Sequence, residues 1–294
     1  MAVAYGTIAT ASLVTTGGGD NLTITKPTST AEGDMLIAII GAEGNANDPS
    51  LSGWTEIFGV ADGTSARLTC LAKKAGASEG ASYTFTGGGD SASGHAYLGY
   101  IMRLTGTFSG VVNVTASDTS VETATTNHTF ETGIIVATTS DVQIQGMLAY
   151  GGLPAQSAYA VTNNNPTWTE RADFTEDGTG TQDAGLSAAT GTAATAGATG
   201  NWSLTLDTSL AGIGYIINVA ETSNGSTTLD LATLTATPQS HVAGTDVTGT
   251  AVVTLDLASL TATPQAPTLS GGTAKWITED KTDTSPTITN EAKS

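Results

Sequence analysis

Gly33-Asp34-Met35-Leu36-Ile37-Ala38-Ile39-Ile40 opens a stretch, residues 33 to 106, that occurs twice in the chain. It continues through Gly53-Trp54-Thr55-Glu56 and Ala61-Asp62-Gly63-Thr64-Ser65 to Gly99-Tyr100-Ile101-Met102-Arg103-Leu104. Residues 140 to 221 repeat the order as Ser140-Asp141-Val142-Gln143-Ile144-Gln145, Thr167-Trp168-Thr169-Glu170, Glu176-Asp177-Gly178-Thr179-Gly180 and Gly214-Tyr215-Ile216-Ile217. The spacing barely drifts: Trp54 to Trp168 is 114 residues, Asp62 to Asp177 is 115 and Gly99 to Gly214 is 115. Four landmarks in one order at one offset mark an internal duplication, with halves at about 1–110 and 111–221.

Each half reads as a set of strands. Met35 to Ile40 is continuously apolar, as expected of a strand buried on both faces. Tyr83-Thr84-Phe85-Thr86 and its counterpart Trp202-Ser203-Leu204-Thr205-Leu206 alternate, so each buries one face. Thr7 to Val14, Asn21 to Thr25, Tyr97 to Leu104 and Gly212 to Val219 complete the strand-like runs. Asp62-Gly63 and Asp177-Gly178 are hairpin signals, and Gly17-Gly18-Gly19-Asp20 reads as a hairpin tip. Ala116-Ser117 echoes Ala11-Ser12, and the small-residue stretch Ala188 to Gly200 reads as a surface loop rather than core. The expected fold is all-β: a jelly-roll-like antiparallel β-sandwich of two similar halves over residues 1–221, as one sandwich or two small domains.

Composition agrees and narrows the function. Thr, Ala and Gly dominate, with 36 Gly and only 12% charged and 5% aromatic residues, a profile that favours strands and turns. The net charge of −18, from 27 acidic against 9 basic residues, disfavours nucleic acid, whose phosphates need clustered cations. It equally disfavours an anionic membrane surface. Cys70 is the only cysteine, so no intrachain disulfide forms, and its alternating surroundings read as an inert buried position. Met1-Ala2-Val3-Ala4-Tyr5-Gly6 lacks the basic start and apolar core of a secretion signal. A protein made in a reducing cytoplasm is expected.

After Glu221 the composition changes. Ser223-Asn224-Gly225-Ser226 reads as a linker. Leu229-Asp230-Leu231-Ala232-Thr233-Leu234-Thr235-Ala236-Thr237-Pro238-Gln239 then recurs 26 residues later as Leu255-Asp256-Leu257-Ala258-Ser259-Leu260-Thr261-Ala262-Thr263-Pro264-Gln265. Each copy is one strand with a leucine edge ended by proline. Two such strands are too few to fold alone, so residues 222–294 are expected to be an extended, strand-rich attachment region completed by partner strands. The candidate assembly residues are Leu229, Leu231, Leu234, Leu255, Leu257, Leu260 and, in the tail, Trp276.

Catalytic and metal chemistry has little to stand on. His95, His128 and His241 show no metal-ligand spacing. Glu56, Glu170, Asp173 and Asp177 are the carboxylates that strand ends could pair for glycoside hydrolysis, although Glu56 and Glu170 occupy equivalent repeat positions. Asp173-Phe174-Thr175-Glu176-Asp177-Gly178 resembles a calcium loop only superficially, lacking its alternating acids and closing Glu. No catalytic residue, metal or cofactor is expected.

The motifs Gly33-Asp34-Met35-Leu36-Ile37-Ala38, Gly53-Trp54-Thr55-Glu56, Leu71-Ala72-Lys73-Lys74-Ala75-Gly76 and Gly99-Tyr100-Ile101-Met102-Arg103-Leu104 together resemble β-sandwich proteins encoded in tailed-bacteriophage structural gene clusters. The short leucine repeats and Trp276-Ile277-Thr278-Glu279-Asp280-Lys281 look like modules at the ends of phage virion proteins. The resemblance implies a non-enzymatic virion component, either a capsid-decorating or head-fibre protein or a tail appendage. It would self-assemble, as a homotrimer, and attach to other virion proteins. The alternative is a carbohydrate-binding module for host surface glycan, with Trp54, Trp168 and Trp202 as stacking platforms.

Overall fold

The computed structural model describes residues 2–222, apart from 18–19, 45–46, 89–91, 132 and 164–165. These residues are nearly all strand. In the first half β1 spans Ala4–Thr16, β2 Leu22–Thr25, β3 Met35–Glu43, β4 Thr55–Asp62, β5 Ala66–Lys74, β6 Ser82–Phe85 and β7 Ser93–Thr105. In the second, after a 3-10 turn at Val111–Asn113, β8 spans Val114–Phe130, β9 Ile135–Val136, β10 Val142–Tyr150 and β11 Gln156–Val161. There follow β12 at Thr169–Glu176, β13 at Ala184–Thr192, β14 at Gly197–Ala198 and β15 at Trp202–Val219. All named pairings are antiparallel.

The duplication is a duplication of topology. The first sheet runs β1-β7-β3-β5-β4, and the second carries the same order as β8-β15-β10-β13-β12. Registers match as well: Met35 lies opposite Leu104 and Val142 opposite Val219, while Ile39 lies opposite Tyr100 and Gly146 opposite Tyr215. Even an irregularity is copied, since β4 bulges at Glu56/Phe58 and β12 at Glu170/Ala172. In each half the first strand pairs with the last, and a further strand pair folds over the sheet in jelly-roll fashion.

The result is four layers. Met35, Ile37, Ile39, Leu98, Tyr100 and Met102 of the first sheet meet Ile144, Leu148, Leu186, Ile213, Tyr215 and Ile217 of the second in one central cluster. On the outer face of the first sheet, Leu36, Ala38, Ile40 and Ile101 are covered by Leu22, Ile24, Tyr83 and Phe85 from the β2–β6 pair. On the outer face of the second, Met147, Ala149 and Ile216 are covered by Phe130, Trp202, Leu204 and Leu206. The central strands of both sheets are therefore dry on both sides, which is why every residue of β3 is buried and why its sequence does not alternate.

The G-Y-I landmark now has a physical reading. Tyr100 and Tyr215 point into the central cluster and their hydroxyls meet at 2.7 Å. Tyr215 also reaches the Ser187 carbonyl at 2.5 Å. A carbonyl only accepts, so Tyr215 donates to Ser187 and Tyr100 donates to Tyr215. The preceding glycines face outward and are overlain by the outer layers. A Cβ on Gly99 would come within 2.9 Å of Leu22, and one on Gly214 would collide with the Phe130 ring.

Three expectations need correction. The strands either side of the Gly17 segment do not form the expected hairpin, because β1 pairs with β7 while β2 pairs with β6. In the second half no such break occurs: β8 and β15 each run through both layers as single long strands. Ala188 to Gly200 is largely structured: Ala188 and Ala189 are fully buried in β13, and Gly197–Ala198 pairs with β9. Small side chains there suit a strand sandwiched between layers. Finally, Ala11 faces Gly99 and Ser120 faces Gly214, so Ser120, not Ala116, is the counterpart of Ala11.

The tyrosine pair gives an ordered prediction. Tyr100→Phe leaves Tyr215 still donating to Ser187 and should cost about 1 kcal/mol in urea unfolding. Tyr215→Phe strands both the Tyr100 hydroxyl and the Ser187 carbonyl and should cost about 2–3 kcal/mol. Equal losses, or the reverse order, would contradict the donor assignment.

Candidate functional site

The seven residues expected to carry assembly, Leu229, Leu231, Leu234, Leu255, Leu257, Leu260 and Trp276, lie outside the described residues, as does the Ser223–Ser226 linker. What the described body offers is its surface, and most of its conspicuous side chains have structural work. Asp34 accepts from the Ala31 amide at 2.7 Å and from Arg103 Nε at 2.6 Å. Its repeat partner Asp141 accepts from the Ala137 and Thr138 amides and from Asn218 Nδ2 at 2.9 Å. The aspartate of each half thus ties the loop before its central strand to the last strand of that half.

Other carboxylates do similar work. Asp48 accepts from Arg67 Nε at 2.7 Å, from the Arg67 terminal nitrogen and from Thr69 Oγ1 at 2.8 Å. Glu79 gathers Lys73 at 2.8 Å, the Gly76 amide and the Tyr83 hydroxyl at 2.9 Å. Burial opposes its ionisation, but these donors outweigh it and hold its carboxyl below the usual range.

The tryptophans are packing residues. Trp54 meets Tyr83 edge-on with ring centroids 5.2 Å apart and Phe85 at 5.3 Å. Trp168 packs against the outer cluster of the second half. Trp202 is fully buried and stacks on Phe130 with centroids 3.7 Å apart. The expected Glu56 and Glu170 are exposed on β4 and β12, and make no hydrogen bond to the adjacent tryptophans. β12 lies against β1 and β4 against β8, so the two glutamates occupy opposite flanks and form no carboxylate pair. Asp173 to Glu176 belongs to a strand, not a loop; Asp173 accepts the Gln156 amide at 2.8 Å. Among the described residues no three His, Cys, Asp or Glu side chains converge as a metal would require. Cys70 is fully buried, and burial raises its thiol pKa well above normal. Among the described residues no helix is long and apolar enough to cross a membrane.

One open groove, about 450 Å³, runs between β1 and β12 and is lined by Ile8, Thr10, Glu170, Arg171, Asp173 and Phe174. Its origin is legible in the repeat. Arg171 and Ala172 stand where Ile57 and Phe58 stand in the other half, and those two pack on the central cluster. Arg171 leaves the core and caps the Tyr5 ring at 3.9 Å, with its Nε donating to Thr190 Oγ1 at 2.7 Å.

These features define an all-β, sandwich-like protein built from two halves whose main sheets share one strand order. Comparison with protein-family models, curated proteins and solved structures finds no match to the chain.

His128 is 1% exposed and stacks over Phe130. It faces Leu204 as Leu22 faces Phe85 in the first half, a histidine in a leucine's place. Burial pushes its pKa down, so the unfolded chain binds a proton that the folded one resists. Its contribution is complete above the unfolded value near 6.5 and is lost as pH falls below it. His128→Leu should therefore gain stability over the parent at pH 5 relative to pH 7.5, by about 1 kcal/mol in thermal or urea unfolding. Parallel pH curves would refute this.

Proposed function

We propose that the chain is a non-enzymatic structural component of a phage virion, a capsid-decorating, head-fibre or tail-appendage protein. It is made in the host cytoplasm and taken into the virion. Residues 1–221 form the displayed body; residues 222–294 join copies of the chain, as a trimer, and attach them to other virion proteins.

The observation that carries this reading is how the body finishes its strand edges. Edge strands β4 and β12 are bulged, β1 is irregular at both ends, and β2 is only 4 residues long. β11 is interrupted between Ser157 and Ala160, where Ala158 takes a φ of 54°. Bulged and short edges resist the addition of further strands. Association by strand exchange is thereby left to the leucine-edged repeats of the tail. The resemblance of residues 33 to 106 to phage sandwich proteins supports the context.

Removing residues 223–294 tests this. The truncated chain should stay folded and run as a monomer in light scattering, and it should no longer bind virions. Retained oligomerisation together with retained virion binding would remove the tail from its role.

The alternative, recognition of host glycan, wants an exposed aromatic face for sugar stacking. Trp54, Trp168 and Trp202 instead pack into the outer clusters. In the truncated chain, which lacks Trp276, acrylamide should quench these indoles weakly and host glycans should leave their emission unchanged. A glycan-dependent shift would favour the lectin reading.

A further inference from the structure

Glu43 ends β3 on the face that carries Met35, Ile37 and Ile39 into the central cluster. It is 8% exposed, and its Oε2 has no hydrogen-bond partner. From the second half it is faced by Asp183, just ahead of β13, whose Oδ1 is also buried and unpartnered. The Asp183 carbonyl accepts the Gly151 amide at 2.7 Å, which fixes this segment beside the end of β10.

The duplication shows what belongs here. Glu43 lies opposite Ala66 as Tyr150 lies opposite Ala184, so Glu43 and Tyr150 hold the same position in their halves. The Tyr150 hydroxyl crosses the interface and donates to Asp62 of the first half. Each half thus sends one side chain across to a carboxylate of the other. Tyr150 always brings a proton; Glu43 brings one only as the carboxylic acid.

We propose that Glu43 is a proton-operated latch between the two halves: protonated, it donates to Asp183 and closes this end of the sandwich, and deprotonated, it opposes Asp183 and loosens it. Burial first, and then the Asp183 charge, push the Glu43 pKa up to about 8. The other groups nearby do not neutralise it. Burial and Asp62 keep Tyr150 protonated, and Asp62 is already engaged by that hydroxyl. β5 presents Ala66 opposite Glu43, and the next residue, Arg67, is bound to Asp48. A metal would need more ligands than converge here among the described residues, which favours the proton as occupant.

Since the folded pKa is raised, the contribution of Glu43 is fully present below the unfolded value near 4.5. It is lost as pH climbs from there to about 8. The test is reversible urea unfolding of the full chain, its Glu43→Gln and its Asp183→Asn variants from pH 5 to 9, each with and without millimolar calcium. The unfolding constant of the parent, divided by that of Glu43→Gln, should rise with pH by up to roughly tenfold per unit within the window. Asp183→Asn should shrink that dependence, and it carries the test alone if Glu43→Gln fails to fold. Parent and variant curves that stay parallel would overturn the latch. So would calcium stabilising the parent, but not the variants, at pH 8, which would make the pair a cation site.

Discussion

The hydroxyl contact between Tyr100 and Tyr215, at 2.7 Å in the middle of the central cluster, is the constraint on which the architecture turns. Two repeat-equivalent residues can touch each other only if the halves pack face to face about an approximate two-fold axis passing near them. Facing sheets then put β1 of one half against β12 of the other and β4 against β8, as observed. A pair of buried hydroxyls also needs one further acceptor to be satisfied. Ser187 supplies it in one half only, and the space for that chain of bonds exists because Gly146 lacks a side chain. A Cβ there would collide with both the Ser187 carbonyl and the Tyr215 hydroxyl. Ile39 occupies the equivalent place in the first half, so the symmetry of the fold is broken at its own centre.

Face-to-face packing has a second consequence. Once each sheet has spent one face on its partner, its other face must be covered as well, because both are apolar in the first half and small or amide-bearing in the second. The first half covers itself with Leu22, Ile24, Tyr83 and Phe85 on a separate two-stranded sheet, β2 paired with β6. The second uses longer strands and substitutes amide chemistry for part of the apolar contact. Gln145 Nε2 donates to the Ser203 carbonyl at 2.6 Å and Gln156 Nε2 to the Met147 carbonyl at 3.2 Å, while Ser187 Oγ donates to Gln156 Oε1 at 2.6 Å. The polar core of the second half is thus more directional than the greasy one of the first.

This difference explains what could be read from sequence. The continuous run Met35 to Ile40 announced a strand buried on both sides, and it is one. Val142-Gln143-Ile144-Gln145 alternates like a strand with a wet face, yet Gln143 and Gln145 are fully buried; nothing local in the sequence separates an amide that meets water from one that meets a covering layer. The Gly17 and Ala188 segments failed for a related reason. Turn chemistry and residue size are local signals, whereas the number of layers above a segment is a tertiary one. The landmarks themselves were legible as repeats but not as roles. That the aspartate of each half ties a loop to a last strand, and that the glycine of G-Y-I admits the outer layer, follows only from the folded arrangement. The expected assembly residues lie beyond the described ones.

The halves also differ where they meet, and there the difference has a packing reason. A residue on the outer surface of either copy can change freely, but an interface residue near a two-fold axis faces its own equivalent and repeats any mismatch. Replacing one copy only resolves such conflicts. Leu148 sits against Gly41, its own counterpart, at a distance a Cβ on Gly41 would close to 2.7 Å. Large against small at one equivalent pair fills the space that two leucines would overfill and two glycines would leave empty. Ile39 and Gly146, Phe58 and Ala172, and Glu43 and Tyr150 are further equivalent positions that differ in size or polarity, though not all of them face one another. A duplicated gene that kept both copies identical would have lacked this freedom. Unlike residues at such a pair give the interface one more way to pack tightly near the axis, while the strand order of the main sheets is the same in both halves.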